Sequence, residues 1–200
     1  MIIRKSVIMK ILILAVSYKA GGSCVAGVDI DTLKWIRLVS TEDGDAIIGK
    51  PTECGFEKLN IYEVEGRLAP INYQPENFLL AKRSQSLGQP RNDSLNKIVT
   101  NILYQGDFIF GDNKSVVYSR NVNSSSLCFV HVKNFSTKWT QNEQGKYKNK
   151  ASFHFNNYQY NDVFVTEHNS ANFDENEAYL LISLPKDEPF SKYVAAIYSI

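Results

Sequence analysis

The chain is poor in the residues that usually announce chemistry. Its three cysteines, Cys24, Cys54 and Cys128, are odd in number and far apart, with no Cys-x-x-Cys pair. A zinc ribbon and a thioredoxin-type redox motif are therefore excluded. Cys24 and Cys128 lie in apolar stretches, which reads as buried, reduced thiols and suits a cytoplasmic protein. The three histidines, His131, His154 and His168, do not fall at metal-ligand spacing. No P-loop, Gly-x-Ser-x-Gly or Gly-x-Gly-x-x-Gly pattern is present, so no catalytic centre is visible and no cofactor is implied. A net charge of +1 gives no global field that commits the chain to nucleic acid or membrane. A nucleic-acid site would have to be a local patch.

Long apolar runs are also lacking. Arg4 and Lys5 precede an apolar stretch ending near Ser17, and Cys24 follows, a layout shared with lipoprotein signals. Lys10 interrupts the stretch, and the residues before Cys24 (Tyr18-Lys19-Ala20-Gly21-Gly22-Ser23) make a poor cleavage box. The stretch is too short to span a bilayer. It reads instead as a buried first strand, with Met9 as the natural start and residues 1–8 an extension. No membrane partner is expected.

What the chain does have is aromatic residues, eleven Tyr and eleven Phe among its 200 residues, punctuated by Asn and Gly. That composition favours strands and turns. Residues 11–16 are apolar at every position, so both faces of that strand should be covered, as in a barrel wall against a second domain. A strand over 24–30 and a turn at 31–34 lead into Trp35-Ile36-Arg37-Leu38-Val39-Ser40, where Ile36 and Leu38 share one face and Trp35, Arg37 and Val39 the other. Further strands are expected at 59–64 and within 72–82. Residues 83–91 read as a linker. Asn92 or Asp93 can cap a helix to about Leu103, with Leu95, Ile98, Val99 and Ile102 on one stripe. Strands follow at 108–110, 115–118 and 126–133. Asn156-Asn157 suits a hairpin turn that sets Phe155 opposite Tyr158 and Phe153 opposite Tyr160. Strands at 179–184 and 193–200 close the chain. The reading is a mostly β protein of two packed OB-like antiparallel barrels: 9–85, a linker with one short helix over 86–106, and 107–200.

The residues also resemble a known family. Ala20-Gly21-Gly22-Ser23-Cys24-Val25-Ala26-Gly27 followed by Lys34-Trp35-Ile36-Arg37-Leu38-Val39-Ser40 is similar to the opening of the bacterial dual OB domain-containing family. Tyr73-Gln74-Pro75-Glu76-Asn77-Phe78 resembles its Pro-Glu-Asn-Phe/Tyr segment. Phe153, Phe155, Tyr160 and Val165-Thr166 resemble its aromatic hairpin. Ala178-Tyr179-Leu180 and Tyr193-Val194-Ala195-Ala196-Ile197 resemble its end. Leu33 stands where relatives usually carry Gly. The resemblance implies two packed OB barrels that recognise nucleic acid or a nucleotide-like ligand, often as an accessory in bacterial defence systems.

Four site readings follow. Trp35 and Arg37, with Lys34 and Lys19, can form a stacking and phosphate platform on the outer face of the first barrel, or they can pack against a second barrel with Arg37 paired to a carboxylate. Lys133, Lys138, Lys146, Lys148 and Lys150, interleaved with Phe135, Trp139 and Tyr147, can hold a single strand on a long loop, or be a solvated surface. Glu76 and Asn77 belong to a turn, where Glu76 can cap amides and Asn77 can read a base edge. Glu42, Asp43 and Asp45 could hold a metal for a nuclease but read better as a solvated loop. The expected function is a non-catalytic module binding single-stranded nucleic acid or a nucleotide-like ligand. A protein–protein adaptor for an effector enzyme is the alternative, and a metal-dependent nuclease the third reading.

Overall fold

The computed structural model describes residues 6–141, 143–167 and 171–199. The chain divides into two compact units, Met1–Ile102 with Val122–Ser125, and Leu103–Asn121 with Ser126–Ile200. Each is built on a closed five-stranded barrel.

The first barrel contains β1 (Val7–Lys19), β2 (Gly22–Asp29), β3 (Trp35–Val39), β4 (Ile61–Leu68) and β5 (Asn77–Gly88), hydrogen-bonded in the order β1-β2-β3-β5-β4. All pairings are antiparallel except β3 with β5. β1 closes the barrel by serving two neighbours. Its early half pairs with β4 and its later half with β2, and the register shifts between Ile13 and Ala15 near the changeover. A bulge of this kind adds the bend that closure demands. Residues 11–16 are buried on both faces, as their unbroken apolar run requires. Ile11, Ile13, Val25, Ile36, Leu38 and Phe78 belong to the core.

α1 (Asn92–Ile102) follows β5. Leu95, Ile98 and Val99 are half-buried and Ile102 is buried, which is the expected stripe. The expected linker over 83–91 is shorter in fact, because β5 continues to Gly88.

The second barrel repeats the first. β7 (Leu127–Gln141), β8 (Tyr147–Phe155), β9 (Tyr158–Val165), β10 (Asp174–Ser183) and β12 (Tyr193–Ser199) close in the order β7-β8-β9-β12-β10, again with the third and last strands parallel. β6 (Val116–Val117) and β11 (Phe190–Ser191) make a separate two-stranded pair. β7 is shared between β10 and β8, and its register with β8 shifts between Lys133 and Ser136, where Asn134 sits at φ 50°. The hairpin at Asn156-Asn157 has the expected register, Phe155 with Tyr158 and Phe153 with Tyr160. Asn156 takes the positive φ of 53°. Phe153 and Tyr160 stack at 5.4 Å, but Tyr158 turns outward and packs on Phe108 at 4.3 Å. The strand expected over 108–110 is instead a 3-10 turn, Ile109–Gly111, with Phe110 at φ 56°.

A buried lysine holds that turn to the barrel. Lys192, 1% exposed, donates through Nζ to the carbonyls of Asp112, at 3.0 Å, and Lys114, and lies over the Tyr160 ring. The Tyr160 hydroxyl donates to the Asp112 carbonyl and accepts from the Ile109 amide. Burial holds the Lys192 ammonium down to about 8 from its usual 10.5, and pushes the Tyr160 hydroxyl up to about 12. An unfolded chain therefore binds the lysine proton more tightly between pH 8 and 10.5, so the lysine's contribution to stability rises with pH across that interval. The buried Cys128 thiol and the tyrosine work the other way, with their contributions lost as pH climbs above 9 and above 10. Urea denaturation should show unfolding free energy increasing from pH 8 to 9 by up to ~1 kcal/mol per pH unit, and levelling off above that. Lys192→Met should flatten that slope; an unchanged slope would assign it elsewhere.

Candidate nucleic-acid interface

The first-barrel platform is not a solvent-facing set. Alternation turns Arg37 away from Ile36 and Leu38, as expected, but that face is covered here and Arg37 is buried. Its Nε lies 3.5 Å from Glu76 Oε1, and Nη1 lies 2.9 Å from Cys24 Sγ. The Arg37 amide also donates to the Glu76 carbonyl at 3.0 Å, and Arg37 and Asn77 are register partners between β3 and β5. A buried guanidinium needs a carboxylate partner, and the Glu76 turn supplies it. This corrects the reading of Arg37 as an exposed phosphate contact and of Asn77, at 0% exposed, as a base reader. Asn77 Nδ2 donates to Gln74 Oε1 at 3.4 Å instead. Trp35 is half-buried and Lys34 exposed, while the half-buried Lys19 donates to the Gly44 carbonyl at 2.7 Å.

The acidic loop is occupied by its own contacts. Glu42 pairs with Arg67, and the Thr41 hydroxyl donates to Asp45. Among the described residues no group of three or more His, Cys, Asp or Glu is arranged to hold a metal ion. All three cysteines are buried and free, and burial pushes the Cys128 thiol up.

The basic segment from Lys133 to Lys150 is mostly strand, not loop: β7 runs to Gln141 and β8 begins at Tyr147. Pairing in the hairpin sorts its residues by face. Thr140 lies opposite Lys148, Lys138 opposite Lys150, Ser136 opposite Ser152 and Lys133 opposite His154. These residues share the outer face, since Val132, Phe135, Ala151 and Phe153 fill the core. Trp139 and Tyr147 have the other parity, that of the buried Thr137 and Asn149, and at the hairpin end they become 48% and 67% exposed. The interleaving in sequence thus separates into a lysine face and an aromatic face. Lys146 lies in the turn between them.

The lysine face extends onto β9, where Lys148 and Lys150 lie 4.8 and 5.7 Å from the Phe164 ring centroid and Lys150 pairs with Asp162 at 3.0 Å. Towards the start of β7 it reaches Lys133 and His131, with Glu177 at 3.9 and 3.3 Å. There the surface deepens into a groove of about 750 Å³ whose lining includes His131, Lys133, His154, Phe108 and Tyr158. Sequence reasoning passed over His131, His154, Phe108 and Tyr158. The parity of His131 with Lys133, and of His154 with Lys148 and Lys150, was a signal. The bulge at Asn134 and the 3-10 turn that brings in Phe108 leave none. His168 lies outside the described residues.

Two closed barrels of this strand order, each with its third and fifth strands parallel, are OB folds, a class of binding modules that present an outer strand face and the hairpin between the first two strands. The chain belongs to the dual OB-containing domain family, whose model matches residues 9–197. No curated protein and no solved structure matches it. Among the described residues no helix is long and apolar enough to cross a membrane.

Proposed function

We propose that the chain binds single-stranded nucleic acid along the outer face of β7 and β8. One observation carries this reading: the pairing register gathers Lys138, Lys148 and Lys150 with Lys133 and His154 into one stripe. From His131 to Thr140 the stripe is about 30 Å long at ~3.3 Å per residue. That length suits the ~4–16 nucleotides taken by a single OB barrel. Lysines on the outer face meet phosphates, and where a strand turns round the hairpin end onto the opposite face, Trp139 and Tyr147 offer its bases a stacking surface. Glu177 and Asp162, both well exposed, temper the field and keep affinity moderate. Three buried free thiols fit a reducing cytoplasm. An accessory role beside a bacterial defence effector rests on the family resemblance.

The test is fluorescence anisotropy with a labelled ten-nucleotide strand at several salt concentrations. If four phosphates are neutralised, affinity should fall roughly 50-fold between 50 and 200 mM salt. Lys138→Glu with Lys148→Glu should weaken binding and lower the logarithmic salt slope by about 1.4. Binding that ignores salt and both substitutions would refute the reading. A second reading is favoured by the exposed Trp139 and Tyr147, which are the kind of anchors protein interfaces use. Trp139→Ala separates the two. A loss of about tenfold in strand affinity assigns the tryptophan to stacking, and an unchanged affinity assigns that face to a protein partner.

A further inference from the structure

The groove at the end of the lysine stripe has its own chemistry. One wall is aromatic: Phe108 and Tyr158 lie with ring centroids 4.3 Å apart, and Tyr158 is 37% exposed. This wall is fixed in place by Asn156, whose side-chain amide donates to the carbonyls of Gly106 at 3.2 Å and Asp107 at 3.1 Å. The other wall is cationic and rich in donors. Lys133 and His154 are register partners, and His131 stands two residues before Lys133 on β7. Asn134 Nδ2 lies 3.4 Å from His154 Nδ1. With that amide donating, Nδ1 accepts and Nε2 carries the proton, leaving a donor for a ligand. Glu177 lies 3.3 Å from His131 Nε2 and 3.9 Å from Lys133 Nζ, so a carboxylate borders this wall and limits its affinity for an anion. The volume, about 750 Å³, lies within the roughly 300–1,000 Å³ of small-ligand sites.

An aromatic wall facing a cluster of lysine and histidine donors is complementary to a nucleobase joined to a phosphate. We infer that this groove is a specific site for one nucleotide, with the base against Tyr158 and Phe108 and the phosphate held by Lys133 and His154. The ligand is a free nucleoside monophosphate or the phosphorylated end of a strand lying on the stripe. The second form rests on the proposed function. The first does not.

Titration calorimetry of the full chain with AMP and UMP, against inorganic phosphate and adenosine as partial ligands, tests the site. Expected is binding of the mononucleotides at least tenfold tighter than of either part. Tyr158→Ala and Lys133→Gln should each weaken it about tenfold or more, while Lys97→Glu on the exposed part of α1 should leave it within twofold. Tyr158 and Lys133 are both exposed, and circular dichroism of each variant checks that the barrel is retained. Mononucleotides binding no better than phosphate, or unaffected by Tyr158→Ala, would overturn the inference. A labelled strand with a 5′- or 3′-phosphate, compared with its hydroxyl form, separates the sources: a gain of tenfold that is lost in Lys133→Gln assigns the groove to strand ends. Strand binding that persists without any mononucleotide or end-phosphate effect sinks this inference alone. Mononucleotide binding without strand binding sinks the proposed function and leaves the groove standing.

Discussion

Gly27→Ala is expected to destabilise the first barrel by about 3 kcal/mol or more, at the upper end of overpacking effects. Gly27 lies on β2 opposite Ile13 of β1, and a Cβ built there would fall 2.0 Å from the Leu12 carbonyl oxygen and 2.9 Å from its carbon. The obstacle is backbone in a closed sheet, not the end of a flexible side chain. Relief would require β1 to move away from β2 in the stretch of β1 that also pairs with β4. Gly21 provides the contrast: a Cβ there meets nothing within 4 Å, and its φ of 84° alone sets the cost of substitution. Gly21→Ala should therefore lose only about 1–2 kcal/mol. The chain has two tryptophans, Trp35 on β3 and Trp139 on β7, so each barrel holds one. Urea denaturation followed by fluorescence in a Trp139→Phe background reports the first barrel. A midpoint for Gly27→Ala no lower than that for Gly21→Ala would show that the barrel tolerates the side chain.

Much of this architecture is written in local pattern. The unbroken apolar run at residues 11–16 marks a strand covered on both faces, and the Asn156-Asn157 pair fixes a hairpin whose register the structure reproduces. The alternation in β3 correctly puts Ile36 and Leu38 in the core. What alternation cannot provide is the cover over the other face. Arg37 points away from Ile36 and Leu38 yet is buried, because Glu76, some forty residues on in sequence, is brought beside it by a parallel pairing of β3 and β5. Parallel pairs leave no turn signal to announce them. The basic segment fails for a related reason. Its composition resembles a loop, while the pairing that makes it a hairpin depends on a bulge at Asn134, a residue in left-handed conformation. Leu33 is a further case. It occupies φ 57° in the turn after β2, with Asp29 gathering the turn through its side chain to Asp31 and Thr32, and nothing in the local sequence announces that a leucine takes this conformation.

Glu76→Ala is expected to destabilise the first barrel by about 3–5 kcal/mol, the usual consequence of leaving one buried charge without its partner. The side chains of Arg37 and Glu76 are 4% and 3% exposed, so water cannot take the place of the carboxylate without opening the structure. Glu76 also anchors the entrance to β5 through its backbone carbonyl, which accepts from Arg37 and survives the substitution. The loss should therefore report the side-chain pair and not the turn. Arg37→Met alone should be costly for the same reason, with the carboxylate now stranded. The double variant Arg37→Met with Glu76→Leu removes both charges and replaces them with apolar groups, and it should recover most of the stability. A double-mutant cycle from urea midpoints then yields a coupling energy of several kcal/mol. A ligand platform would behave otherwise. Glu76→Ala would leave stability near wild type and change strand affinity, since an exposed carboxylate beside a phosphate site repels its ligand. Stability lost in both single variants and restored in the double, with strand binding on β7 and β8 unchanged throughout, makes the most distinctive sequence motifs of the first barrel its structural lock and leaves recognition to the second.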